Sequence, residues 1–415
     1  MTPSCWGNLQ LKCLYRRRDT TGRPDLPLLS VYRDLGVVAR EGRDDNWNKP
    51  GDDLSAYRVV RPGDLVLNKM KTWQGSLGVS ALQGIVSPAY FVCEQVGDGV
   101  PRFLHHLLRS QPLIYEYGRR SKGIRPSQWD LPWDEFRDIT VGMPPPLVQR
   151  AIADYLDAET ARIDALIEKK RRMVELLVER FAGAVFYAVT GGVSGPRSLK
   201  ASGLSWVDAI PSGWGTPTVA MNFSVQLGKM LNPESASGSE RYPYLRNANV
   251  QWDDFDLDDL AVMHFDRADR VRCELRAGDL LVCEGGEVGR AAVWDGRIAE
   301  VFFQKAIHRV RPLVSANTRY LMYCLMAAAK QSVFAVEGNL STIVHLTGDQ
   351  LRAHRFPWPS LEEQARIAAH LDEAGKRSKA ARELLKRQLD LLAERRQALV
   401  TAAVTGELAI PGIAA

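Results

Sequence analysis

The polar side chains of this 415-residue chain are spaced for binding, and the common catalytic arrangements are missing from it. A phosphate-cradling loop needs Gly-x-x-x-x-Gly-Lys-Ser/Thr or Gly-x-Gly-x-x-Gly, and neither pattern occurs. Amino-methylating sites use an Asn/Asp-Pro-Pro-aromatic stretch. Ser87-Pro88-Ala89-Tyr90 comes nearest and lacks the amide. A metal-dependent nuclease wants an acid followed by Glu-x-Lys, but Asp279 is followed by Glu284-Gly285-Gly286, with no lysine. The six cysteines form no Cys-x-x-Cys pair, and His308 and His345 have no ligand spacing beside them, so no metal site is expected. Free thiols in a reducing, cytoplasmic compartment are the plain reading. What remains are polar loops: Trp73-Gln74-Gly75, Arg119 to Arg125, Gly285 to Arg290 and Gly338 to Thr342.

Charge points the same way, weakly. The net charge is +5, and residues 1–143 hold 20 Lys and Arg against 16 Asp and Glu, while the rest is near balance. Such an excess permits contact with a polyanion without requiring it. No apolar run approaches the roughly 20 residues of a membrane span.

The elements that must position those loops are announced by a repeat. Pro144–Gly191 and Pro359–Gly406 lie 215 residues apart and match without a gap. Shared positions include Gln149/Gln364, Ile152/Ile367, Leu156/Leu371, Asp157/Asp372 and Glu179/Glu394, closing on Val189-Thr190-Gly191 and Val404-Thr405-Gly406. Each copy opens on proline, then runs about 45 residues with almost no glycine. Apolar residues recur every three or four positions (Ile152, Leu156, Ile163, Leu166, Val174, Leu177, Phe181, Ala184, Ala188), which makes one helical stripe. About 40 helical residues give a rod on the order of 60 Å. A narrow stripe on so long a rod calls for another helix, and the second copy supplies it. An antiparallel coiled-coil pair within the chain is predicted.

The segments ahead of the helices are also related. Pro3-Ser4-Cys5-Trp6-Gly7 answers Pro211-Ser212-Gly213-Trp214-Gly215, and Arg61-Pro62-Gly63-Asp64-Leu65 answers Arg276-Ala277-Gly278-Asp279-Leu280. Gly-Asp before an apolar run reads as a tight turn entering a strand. Beyond these anchors the two segments diverge. The chain therefore divides into 1–143, 144–196, 197–358 and 359–415: two mixed α/β domains, each followed by a long helix, an α+β fold with an internal pseudo-two-fold repeat.

This layout resembles the DNA-specificity (S) subunit of type I restriction–modification enzymes. Gln149, Ile152, Ala153, Leu156 and Asp157, their counterparts Gln364, Ile367, Ala368, Leu371 and Asp372, and the Asn247-x-Asn249-Val250 stretch carry the likeness, which spans essentially the whole chain. The resemblance implies a non-catalytic DNA-reading subunit with two target-recognition domains, one for each half of a split, asymmetric target. It also implies helices that space the domains and seat two modification (methyltransferase) subunits, with restriction subunits joining. S-adenosylmethionine belongs to the methyltransferase partner, and no cofactor is expected in this chain.

On that reading, phosphates would be met by Lys and Arg, and base edges by Arg, Asn, Gln, Glu or Ser on loops. The first domain offers Lys69, Lys71, Trp73, Gln74, Arg119, Arg120, Lys122 and Arg125 as DNA contacts. The second offers Arg246, Asn247, Asn249, Glu284, Glu287, Arg290, Ser341 and Thr342. The competing reading is a coiled-coil assembly adaptor that reads no DNA.

Overall fold

The computed structural model describes residues 6–41, 53–123, 129–195, 197–231, 238–336 and 345–411. The chain forms two compact units, Met1–Arg171 with Lys386–Ala415, and Arg172–Leu385. Each unit therefore holds one mixed α/β domain and a part of both long helices.

In the first unit, strands β1 (Tyr15–Arg17), β2 (Leu65–Asn68), β3 (Leu77–Val79) and β4 (Tyr90–Gln95) form an antiparallel sheet in the order β1-β4-β2-β3. Helices α1 (Pro101–Leu108) and α2 (Gln111–Arg120) follow. The chain then enters the long helix α3 (Pro146–Gly191), of 46 residues. In the second unit, β5 (Phe223–Leu227), β6 (Leu280–Cys283), β7 (Ala291–Val293) and β8 (Ile307–Pro312) form an antiparallel sheet in the order β5-β8-β6-β7. Helix α4 (Thr318–Lys330) and the second long helix α5 (Leu361–Thr405) complete it. Strand for strand, the second sheet repeats the first.

The two long helices pair antiparallel within each unit. In the first, Asp164 takes Arg396 at 2.8 Å, and Lys170 donates to Gln388 at 2.6 Å. In the second, Gly375 sits where an added Cβ would meet the Phe181 ring at 3.2 Å, which lets the helices approach. Burial along the predicted stripe is uneven. It concentrates at the helix ends, in Ile152, Leu156 and Ile163 with Val400, Ala403 and Val404, and in Val185, Ala188 and Val189 with Ile367 and Leu371. The ends meet a domain as well as the other helix. Toward the middle, Leu385 is buried and Val174, Leu177 and Phe181 of the stripe are half-buried, while Leu166 of the stripe and, off it, Met173, Leu176, Val178, Leu384 and Leu391 are exposed.

The repeated glutamine explains how a domain is fixed to its helix. Gln149 donates from Nε2 to the Pro144 carbonyl at 2.7 Å and accepts from the Val100 N–H at 2.8 Å, just ahead of α1. Gln364 donates to the Pro359 carbonyl at 3.0 Å and accepts from the Asn317 N–H at 3.1 Å, at the N-cap of α4. Both side chains are buried, so each amide satisfies two backbone groups that water cannot reach. Two turns on, Asp157 accepts from Arg102 (2.7 Å) and lies 2.7 Å from His106 Nε2, and Asp372 accepts from Arg319 (2.6 Å) and Tyr323 (2.7 Å). The helix motif is thus a docking device used twice.

Replacing Gln149 or Gln364 with alanine strands two buried backbone groups and should cost about 2 kcal/mol in urea unfolding. A cost below about 0.5 kcal/mol would show that the amide carries little. The first unit should also be acid-sensitive through His105, whose Nδ1 lies 3.2 Å from the Val79 carbonyl and whose Nε2 accepts from Arg109 at 2.9 Å. Lost hydration and the Arg109 charge lower its pKa from 6.5 to about 3. The fold therefore needs the ring neutral. The stability is full above the unfolded value and declines as pH drops below it, by about 1–2 kcal/mol between pH 7 and 5. His105→Gln should remove that part of the slope in melts across this range.

Candidate nucleic-acid interface

The loops in question grow from matched turns. Gly63 and Gly278 adopt φ of +91° and +94°, a left-handed conformation that glycine takes without strain. Their N–H groups donate to Ser80 O (2.7 Å) and Trp294 O (2.8 Å). The carboxylates that follow close the turns: Asp64 accepts from Arg61 N and Asp279 from Arg276 N, each at 2.7 Å. Arg18 pairs with Asp64, and Arg311 grips Asp279 through two nitrogens at 2.6 and 2.7 Å. Each turn launches the central strand, β2 or β6, toward its candidate loop.

At the far end of that strand the main chain is clamped identically. The Lys69 N–H donates to Ala89 O (3.2 Å) while Leu131 N donates to Lys69 O (3.3 Å). The Glu284 N–H donates to Ala306 O (3.0 Å) while Leu346 N donates to Glu284 O (2.7 Å). Residues 69 and 284 are structural equivalents carrying opposite charge.

In the first unit Lys69 is half-buried, its Nζ 4.7 Å from the centre of the Phe91 ring, with the Arg17 guanidinium also 4.7 Å from that ring. Burial, then Arg58 and Arg17, pull its pKa down. Lys71 and Gln74 are exposed. Trp73 donates to Met70 O at 3.0 Å and packs against Trp129 with ring centres 5.2 Å apart. Arg120 is tied to Glu116 (2.7 Å) and the Glu135 carbonyl (3.3 Å), so it braces α2. Arg119 and Lys122 are exposed and pair with Glu116 (3.2 Å) and Glu135 (2.8 Å). The structure thus brings Lys69, Lys71, Trp73 and Gln74 onto one loop, with Arg119, Arg120 and Lys122 at the end of α2. Arg125 lies outside the described residues.

The second unit spends more of its polar groups internally. Asn249 is buried, accepting from Arg246 N (2.9 Å) and donating to Asp256 O (2.9 Å) and Asp259 O (3.2 Å). Arg290 donates to Asn247 O at 2.9 Å, and Asn247 donates to Gly285 O at 2.7 Å. Asn247, Gly285 and Arg290 thereby lock two loops together. Glu287 accepts from Trp252 at 2.5 Å, and Arg246 pairs with Asp259 at 2.7 Å. Gly286 and Glu287 also help line a groove of 1220 Å³ whose other side includes Phe181, Gly375 and Lys379. Glu284 is half-buried beside the buried His308. Ser341 and Thr342 lie outside the described residues. Sequence reasoning missed Arg17, Arg58 and His308. The Arg16-Arg17-Arg18 run was the available signal for the first.

Residues 223–387 match the type I restriction modification DNA specificity domain family. Most of that match falls within the second unit, Arg172–Leu385. Two solved chains share the fold over nearly the full length. One, from work on complex assembly and conformational transition of the type I R-M system, has a TM-score of 0.74 at 16% identity, covering 98% of this chain and 100% of that one. The other, the HsdS subunit from Thermoanaerobacter tengcongensis, has a TM-score of 0.53 at 19% identity, covering 98% of each. No curated protein matches the chain in sequence. The resemblance to type I specificity subunits and the two-domain coiled-coil fold read from the sequence are both upheld. Among the described residues no helix is long and apolar enough to cross a membrane.

Internal use separates two kinds of polar residue in the two units. Asn249→Ala should lower stability by about 2 kcal/mol in thermal or urea melts, because three backbone groups lose their partner. Gln74→Ala should leave the melt unchanged within about 0.5 kcal/mol. The opposite pattern would reassign both.

Proposed function

We propose that this chain is the non-catalytic, sequence-reading subunit of a type I restriction–modification complex, with each domain engaging one half of a bipartite, asymmetric DNA target. The observation that carries the proposal is the matched construction of the two units. The same sheet, the same Gly-Asp turn and the same glutamine lock support loops of different chemistry. A scaffold used twice with different loops suits two half-sites of different sequence. Exposed Lys71, Gln74, Arg119 and Lys122 in the first unit are the DNA contacts we favour, for phosphates and base edges. In the second unit, Asn247, Glu284 and Glu287 line the equivalent loop region, while Asn249, Arg290 and Arg120 hold their loops in shape.

The helices fit the role of spacer and seat. Major-groove faces recur about every 34–36 Å along DNA, so two readers need a fixed separation. Helices of 46 and 45 residues correspond to rods of roughly 65–70 Å, stiffer than any flexible linker. Apolar Leu166, Met173, Leu176 and Val178 remain uncovered toward the middle of α3, where two methyltransferase subunits, carrying S-adenosylmethionine, would dock and a restriction subunit join.

Co-expression with the neighbouring gene products, followed by genome-wide mapping of methylated adenine, should reveal one split motif that disappears when this gene is deleted. Exchanging residues 1–143 for the first domain of another such subunit should change one half of the motif and leave the other. No copurifying methyltransferase, or a swap that alters both halves, would contradict the proposal.

A further inference from the structure

The clamp around residues 69 and 284 deepens that reading and rests on it. Both residues close the central strand of their sheet, and both are held through main-chain N–H and C=O to equivalent partners, Ala89 with Leu131 and Ala306 with Leu346. With the backbone fixed this way, the two positions differ by side chain alone. The neighbour across the sheet differs in step. Phe91 lies under Lys69, and His308, which pairs with β6 through Val282 as Phe91 pairs with β2 through Leu67, lies beside Glu284. One unit therefore offers an ammonium on an aromatic face, flanked by the guanidinium of Arg17. The other offers a carboxylate beside a buried imidazole whose Nδ1 has no hydrogen-bond partner among the described residues.

We propose that positions 69 and 284 are paired specificity determinants which make the two half-sites different. Lys69, donor-only, selects an acceptor edge, the O6 and N7 of guanine. Glu284, acceptor-only, selects a donor edge, the N4 amino group of cytosine. Neither side chain is spent on an ion pair that would have to break first. Among the described residues the Lys69 ammonium has no carboxylate partner and the Glu284 carboxylate accepts no hydrogen bond, in contrast to the side chains of Arg120, Asn249 and Arg290. Each also stands at the root of an exposed loop: Lys71 and Gln74 follow Lys69, and Gly286 and Glu287 follow Glu284. The loop would set the approach, and the clamped residue would test the base.

The test uses the full chain co-expressed with its methyltransferase partner, comparing the wild type with Lys69→Gln, Lys69→Glu, Glu284→Gln and Glu284→Lys. The readout is the methylated-adenine motif, with melting temperature as a check on folding. Each variant should change the motif at one base of one half-site only, a guanine for Lys69 and a cytosine for Glu284. Methylation of the wild-type sequence should drop roughly tenfold or more. If a charge reversal fails to fold, the glutamine variant at that position carries the test. Glutamine variants that melt like the wild type and keep its motif and rate would overturn the inference, as would a change spread over both halves. A wild-type complex that methylates no split motif would instead overturn the function proposed above.

Discussion

Everything in this molecule hangs on a buried amide that serves two backbones at once. Gln149 and Gln364 each tie the start of a long helix to the start of a short domain helix, using both ends of the side-chain amide. A buried amide that satisfies two main-chain groups is costly to disturb, because either group left unpaired keeps its desolvation penalty. That fixes the angle at which a domain leaves its helix. The Asp157 and Asp372 clusters, about two turns along, fix its rotation. Between them these contacts fasten a domain to the first turns of its helix.

Rigidity at the joint gives meaning to variation elsewhere. Where the scaffold is held by identical bonds in both units, a change of side chain at a matched position alters chemistry without altering placement. The Gly-Asp turns show the same economy. Gly63 and Gly278 hold nearly the same left-handed φ, and the following aspartates accept from equivalent N–H groups at equal distance. Divergence is then free to collect on the loops beyond β2 and β6, where Lys69 and Glu284 occupy one place with opposite charge.

Much of this was legible in the sequence, for identifiable reasons. Long gap-free identity exposed the duplicated helices, because a helix tolerates neither insertion nor proline without losing its face. The Gly-Asp pairs were visible because backbone geometry dictates their residue types. The partners of the repeated helix residues were not. Val100 and Asn317, Arg102 and Arg319, and His106 and Tyr323 are equivalent, yet they are 217 residues apart instead of 215 and mostly differ in type. A two-residue slip in a loop hides them from any fixed-offset comparison. The internal duties of Asn249, Arg290 and Arg120 were also hidden, since a polar loop residue that braces looks the same in sequence as one that binds. Of the apolar stripe, Leu166 is exposed and Val174, Leu177 and Phe181 are half-buried, because helix ends bury against a domain as well as against each other.

The central claim is that the two matched loops face DNA, one on each half-site. Its most direct test is site-specific photo-crosslinking from positions 71 and 286 in the assembled complex bound to a duplex carrying its target. Crosslinks from position 71 confined to one half-site and from position 286 confined to the other would bear the account out. Crosslinks to protein alone, or from both positions to the same half, would contradict it.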